Sequence, residues 1–379
     1  MRILYVTTIS LTINTFFKHH IDMLVREGNT VDIACNFKDL PIDKSYADLG
    51  CASYQVDFSR SPLSVSNFKA YGQLKQIVKN GNYDIVHCHT PNASVITRLA
   101  CRKFRKKVGL KVFYTAHGFH FYKGASKINW LIYYPIEKLC SRFTDKLVTI
   151  NQEDYALAKT KFKAKEVHYV PGVGIDLSKF ENVQVDRVAK RREIGVPENA
   201  FLLFSVGELN KNKNHQVIIK AIAKMNVSNI HYAIAGVGDQ ELHLLDLARE
   251  LGVGDRLHLL GYRKDIAELN YISDLFCFPS FREGLAASLI EAMASGLPVV
   301  CSCIRGNVDL ISASGGALFS PFSEEECYRA LTDVVGGNTL SMADNNRVRA
   351  KDFSIARIVS EMKNIYGIAS RDTDNACGV

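Results

Sequence analysis

Long apolar runs are missing. Across 379 residues no stretch approaches the ~18 apolar residues needed to cross a bilayer. The best, 128–136, is short and carries Asn129, Trp130 and Pro135. The start, residues 1–6, is apolar too briefly for a secretory signal and has no small-residue cleavage site, so a cytoplasmic chain is expected. Ten cysteines include no Cys-x-x-Cys. Cys301 and Cys303 stand closest, without His or Cys partners at zinc spacing, so reduced and mostly buried thiols are expected. The first βα turn, 7–14, has no glycine, which removes the dinucleotide fingerprint, and no Walker loop occurs. No Asp-x-Asp metal motif stands at a strand end, and no internal repeat is visible. Neither a metal nor another bound cofactor is expected.

Acid is scarce in one half only. Residues 1–170 carry 25 Lys/Arg against 13 Asp/Glu, while residues 171–379 carry 22 against 26. The net charge of +8 therefore divides into +12 and −4. A basic half beside a mildly acidic one suggests different partners for each: nucleic acid, an anionic membrane or a phosphorylated ligand for the basic half. No nucleic-acid-binding motif accompanies the charge, so nucleic acid is the weakest of the three.

What is present is ordinary globular material, 47% hydrophobic and 23% charged, enough for two or three domains. Short β-branched or aromatic runs (2–7, 30–35, 84–87, 111–115, 147–150, 167–170) alternate with amphipathic stretches (16–26, 66–79, 93–105, 128–141). Pro171, Gly172 and Gly174 break that rhythm, and it restarts with strands at 200–206, 230–235, 257–260, 275–278 and 298–301. The pattern predicts an α/β protein of two doubly wound domains facing a cleft, with ligands at the carboxyl ends of the strands. The expected division is an N-terminal domain over 1–170, a linker over 171–190, a C-terminal domain over 191–352, a helix over 353–368 and a disordered tail over 369–379.

The strongest local signal runs from Phe281 to Pro298. A strand ends near Phe278, Gly284 relaxes the turn, and a helix from Leu285 runs to the Gly296-Leu297-Pro298 stop. Free N–H groups near Leu285 and Ala286 form an anion site. Glu283 and Glu291, if both helical, would differ by ~80° and ~12 Å, the span between a ribose and a sugar on either side of a diphosphate. The bland alternative is a capping Glu283 and a solvated Glu291. A second signal, 204–215, sets Gly207 at a strand end and Lys211 and Lys213 in the loop entering a helix, where a lysine can neutralise a diphosphate; a solvated basic loop is the competing reading. In the first half, strand-end loops carry His87, His89, His117 and His120. In a strand Cys88 points away from His87 and His89, which argues against a metal cluster. Loops facing a cleft favour a substrate role, with His89, Phe119 and His120 as acceptor-side candidates.

Together these residues resemble the bacterial family 4 glycosyltransferases of GT-B architecture, over nearly the whole chain to about residue 368. The most specific marks are Glu283-x7-Glu291 followed by 292–300. Val206-Gly207…Lys213, Gly236-x-Gly238 and Gly261-Tyr262-Arg263 support them. Residues 117–121 and 207–210 are similar to enzymes assembling capsule, exopolysaccharide or O-antigen repeat units. The resemblance implies a retaining, metal-independent transfer of a hexosyl or N-acetylhexosaminyl group from a nucleotide sugar, most often a UDP-sugar, to a lipid-linked or oligosaccharide acceptor. It implies that Glu291 holds the ribose, Lys213 the diphosphate beside Gly207, and the Arg263 loop the base, largely through backbone. Glu283 and the amides of Gly284 and Leu285 would contact the sugar and its nearest phosphate. His117 would approach the donor sugar, and the final helix would return to brace the acceptor-side domain. Two departures stand out: Glu208 replaces an arginine common in the family, leaving Lys211 or Arg282 to substitute, and the first loop lacks the usual glycine pair. With the donor in the acidic half, the basic cluster Arg102, Lys103, Arg105, Lys106 and Lys107 is expected to meet an anionic cytoplasmic leaflet peripherally, or else to serve only as a solubilising face. A non-hydrolysing UDP-sugar epimerase and a non-catalytic, membrane-associated partner subunit are the alternatives.

Overall fold

Each β-branched run becomes a parallel strand, and each amphipathic stretch between them a helix that buries its apolar stripe on a sheet. The computed structural model describes residues 1–368; the segment 369–379, read above as a tail, lies outside the described residues. The chain divides into two units, residues 1–174 with 355 onward, and residues 175–354.

The first unit holds β1 (Arg2–Ile9), β2 (Thr30–Asn36), β3 (Ser53–Gln55), β4 (Ile85–His89), β5 (Lys111–Ala116), β6 (Lys146–Thr149) and β7 (Glu166–Tyr169), in the order β3-β2-β1-β4-β5-β6-β7. The second holds β8 (Phe201–Val206), β9 (Ile230–Ala235), β10 (Leu257–Leu259), β11 (Leu275–Phe278), β12 (Val299–Ser302) and β13 (Gly316–Phe319), in the order β10-β9-β8-β11-β12-β13. Every pairing between these strands is parallel. Strand order reverses between β1 and β4 in one sheet and between β8 and β11 in the other. Loops leaving such a pair diverge to opposite faces and open a crevice at the carboxyl edge.

One domain expectation changes. Residues 175–190 are not a linker: Ile175, Leu177, Phe180 and Val185 pack against the core of the second unit, and Leu177–Lys179 form a 3₁₀ turn. Ile175 N–H also donates to Phe353 O at 2.9 Å, so the chain's two crossings run side by side. The last helix, Ile355–Tyr366, belongs to the first unit, where Ile358, Met362, Ile365 and Tyr366 fill a core with Ile3, Tyr5 and Phe113. Tyr366 OH stands 2.5 Å from His87 Nδ1 and donates to Tyr5 OH at 3.1 Å. Helices Glu324–Val335 and Thr339–Ala350 were not expected from the pattern.

Candidate active site

In the second unit the crevice at the β8/β11 reversal is built by two loops. After β8 the chain passes Gly207 and makes a 3₁₀ turn, Lys211–Lys213, capped by Asn210, whose side chain accepts from Lys213 N–H at 3.0 Å. The loop after β11 is tied to it. Phe281 N–H donates to Asn212 O at 2.8 Å, and Asn212 Nδ2 donates to Arg282 O at 3.1 Å. This zipper brings Lys213 Nζ to 2.9 Å from Glu283 Oε1, and to 4.8 Å from the centre of the Phe278 ring. Both charged side chains are less than one-fifth exposed, so their attraction is screened less than at an open surface.

The neighbouring strand end adds a residue that motif reading missed. Arg305, 8% exposed, points its guanidinium at Glu283 O from 3.4 Å. The next residue, Gly306, has φ +84°, and a Cβ there would lie 2.3 Å from Gly284 O. Only glycine lets the β12 loop rest on the Gly284 carbonyl. The sequence signal was available: a glycine in the loop following a buried β-branched strand.

Glu283 is not helical. The helix begins at Ala287, after Ala286 in extended geometry (φ −87°, ψ 112°), so the helical arithmetic for Glu283 and Glu291 does not apply. Gly284 and Leu285 form a bend before the helix, and the first-turn amides belong to residues 287–289. Glu291 is half-buried inside that helix; burial raises its carboxyl from the ordinary value, offset in part by Lys179. Arg263 is committed elsewhere. It donates to Asp265 through Nε (2.8 Å) and Nη2 (2.5 Å), and to Glu193 at 2.5 Å. Its side chain thus braces its own loop, and only the loop's backbone is left to meet a ligand. Glu208, Lys211 and Arg282 are all exposed beside Lys213; Glu208 accepts from Asn210 Nδ2 at 2.8 Å.

In the first unit His117 Nε2 and His89 Nδ1 are 3.2 Å apart. Burial lowers His117 to about 4 and His89 well below its ordinary value, so both are neutral at pH 7. His89 is itself buried, with its Nε2 unpartnered, and is a support for His117. Phe119 is 3% exposed and stacks on Phe121, centroids 4.9 Å apart, and with His120 it lines a 170 Å³ cavity. His120 stacks on Tyr133 and lines a 320 Å³ cavity at the β1/β4 reversal with Thr8, Thr90 and Arg60. Of the basic cluster, Arg102, Lys103, Lys106 and Lys107 are exposed on helix Pro91–Lys107. Arg105 is not available to a membrane. It grips both oxygens of Asp145 at 2.7 Å and donates to Arg142 O. Among the described residues no group of three or more His, Cys, Asp or Glu is placed to hold a metal ion.

Residues 2–151 match the family described as Glycosyl transferase 4-like, and residues 186–351 the family Glycosyl transferases group 1. The chain is 34% identical over 373 residues to EpsD of Bacillus subtilis (strain 168), a glycosyltransferase by name, covering 96% of each chain. It belongs to the family 4 glycosyltransferases. This glycosyltransferase is also 27% identical over 357 residues to the Escherichia coli UDP-Gal:alpha-D-GlcNAc-diphosphoundecaprenol alpha-1,3-galactosyltransferase, covering 91% of this chain and 90% of the relative. Its fold matches that of Anabaena Alr3699/HepE in complex with UDP and glucose, with TM-score 0.77, 19% identity, and 97% and 100% of the two chains covered. That likeness gives the transferase the GT-B fold expected from the strand rhythm.

Proposed function

We propose that this glycosyltransferase moves a hexosyl or N-acetylhexosaminyl group from a UDP-sugar to a lipid-linked saccharide, retaining the anomeric configuration and using no divalent metal, in the assembly of a cell-surface polysaccharide. The observation that carries the reading is the Lys213–Glu283 pair, 2.9 Å apart at the β8/β11 reversal. A cation and a carboxylate sit together where an open α/β sheet binds ligands. The E. coli relative, named for UDP-Gal and a diphosphoundecaprenol acceptor, supports the choice of donor and acceptor class.

In this mechanism Lys213 exchanges Glu283 for the donor diphosphate and stabilises the charge that develops on it, the task a metal ion performs elsewhere. Amides at Gly284 and Leu285, and those opening the helix at Ala287, add donors to the same anion. Glu283, released from Lys213, accepts from sugar hydroxyls; Glu291 accepts from the ribose. The acceptor hydroxyl oxygen bonds to the anomeric carbon as the carbon–phosphate oxygen bond breaks. Its proton passes to the departing phosphate oxygen on the same face of the sugar. In the first unit, neutral His117, held by His89, offers one N–H or one lone pair to a substrate hydroxyl. Arg102, Lys103, Lys106 and Lys107 draw the chain to the anionic inner leaflet, each contributing ~1 kcal/mol near the surface.

The test is a screen of nucleotide sugars, UDP-sugars first, with and without a prenyl-diphosphate saccharide. Transfer requiring both substrates, with the product linkage of the donor's own configuration, is expected. A sugar altered by enzyme and donor alone would identify an epimerase. Failure to bind any nucleotide in calorimetry would leave the non-catalytic subunit.

A further inference from the structure

The outer face of helix Lys127–Ser141 breaks the rule for surface helices. Its inner face meets the core through Trp130, Tyr133, Tyr134 and the buried Glu137. Its outer face, which should be charged, instead presents Ile128, Leu131, Ile132, Ile136 and Leu139 to solvent, Leu131 being 78% exposed. These positions fall at i, i+3, i+4, i+8 and i+11, a continuous stripe. A second apolar projection stands nearby: Leu63, Val65 and Phe68 are 93%, 81% and 83% exposed. The two are neighbours across one opening. Pro62 and Asn67 from the second segment, and Tyr133 and Ile136 from the helix, line the same 170 Å³ cavity. That cavity shares Pro62, Pro91, Asn92, His120 and Tyr133 with the 320 Å³ cavity at the β1/β4 reversal.

The charge around these projections says what covers them. Residues 58–136 hold thirteen Lys or Arg and a single acid, Asp84; Arg98, Arg105 and Lys69 are paired with Glu137, Asp145 and Asp57, which leaves ten. The helix's own carboxylate, Glu137, is buried against Arg98 at 2.8 Å. Lys127 begins the stripe, and Lys138 and Arg142 close it; all three are exposed. Apolar residues bounded by cations and free of exposed acid match the boundary between acyl chains and anionic headgroups. A second copy of this chain would set like charge against like.

We propose that the first unit docks on an anionic bilayer through two apolar wedges, segment 62–68 and the outer face of helix Lys127–Ser141, and that a lipid-linked acceptor passes between them into the cavity beside His120. The wedges enter the acyl boundary while the flanking lysines and arginines stay among the headgroups. The acceptor's prenyl chain remains in the leaflet, and its saccharide reaches the strand ends. The acceptor path rests on the function proposed above; the docking surface does not.

Trp130 is the protein's only tryptophan and lies on the docking helix, so its fluorescence reports the event. With vesicles of phosphatidylglycerol and brominated phosphatidylcholine, wild type should co-sediment and lose Trp130 fluorescence. Raised salt should weaken binding without abolishing it. The double variant L131S/F68S, altered only at exposed positions and checked by circular dichroism, should partition at least tenfold less. It should transfer sugar to a short-chain, water-soluble acceptor within twofold of wild type, and lose transfer to a long-chain acceptor in vesicles. Equal partition of variant and wild type, or no quenching of wild type, overturns the docking surface. So does a wild-type dimer in sedimentation velocity that L131S/F68S dissolves while wild type ignores vesicles, since a second copy would then be the occupant. Vesicle binding without transfer to either acceptor would count against the transferase reading and leave the docking surface standing.

Discussion

Lys213 Nζ lies 2.9 Å from Glu283 Oε1 although seventy residues separate them in the chain. Neither loop could hold its charge alone so far from solvent at low cost. Paired, they hold a cation and a carboxylate in neutral form, and in the proposed reaction a diphosphate and a sugar separate them.

Lys213→Ala should lower kcat by about 10²–10³-fold, the usual effect of removing one group that stabilises developing charge. Glu283→Ala should be comparably damaging. Steady-state kinetics on variants with wild-type circular dichroism provide the check; near-normal turnover by folded K213A would remove the lysine from the reaction.

Glu291 gives a different signature. Replacing it with Gln removes a charged acceptor worth about 1.5–3 kcal/mol, so KM for the donor should rise roughly ten- to a hundredfold with kcat little changed. Its carboxyl is raised by burial, and the carboxylate is the form that accepts from hydroxyls. Nucleotide affinity should therefore weaken as pH falls, beginning above the ordinary carboxyl range. Calorimetry with UDP at several pH values reads this, and E291Q should flatten the profile.

Stability should be acid-sensitive for a separate reason. Burial lowers His20 and His117 from 6.5 to about 4. Between those values the unfolded chain binds protons that the folded chain refuses. Stability is thus intact above pH 6.5 and declines as pH drops toward 4, by roughly 1.4 kcal/mol per pH unit per histidine. Urea midpoints that stay constant from pH 6.5 to 4.5 would contradict this.

The buried Arg98–Glu137 pair joins helix Pro91–Lys107 to helix Lys127–Ser141, with the guanidinium 4.2 Å over the Tyr114 ring. Glu137→Ala leaves that guanidinium buried without its counter-charge and should cost ~3–5 kcal/mol in denaturant unfolding. Replacing both partners with apolar residues of similar size should cost much less.

The architecture was legible because its central strands are buried on both faces and so read as short, nearly continuous apolar runs: 200–206 anticipated Phe201–Val206 almost residue for residue. Helix Thr339–Ala350 was not legible, since it buries only Ala343, Asn346 and Ala350 and leaves no apolar period. At the site, motif spacing singled out Lys213, Glu283 and Glu291 but could not know that Ala286 stays extended and delays the helix by two residues. Arg105 was not legible either, because a basic run does not reveal which member finds an acid forty residues away. The outer stripe of helix Lys127–Ser141 stayed hidden because the helix is apolar on both faces, so no period distinguishes them.

The discontinuity of the first unit bears on how the protein is made. Residues 175–354 leave the ribosome as one uninterrupted piece, whereas residues 1–174 wait for a helix synthesised after that piece. Until Ile358, Met362, Ile365 and Tyr366 emerge, the core around Tyr5 and Phe113 lacks its cover and His87 lacks its tyrosine partner. Domains usually complete themselves in the order of translation. Here the later half finishes first, and a message truncated before codon 355 would yield a chain whose earlier half never closes.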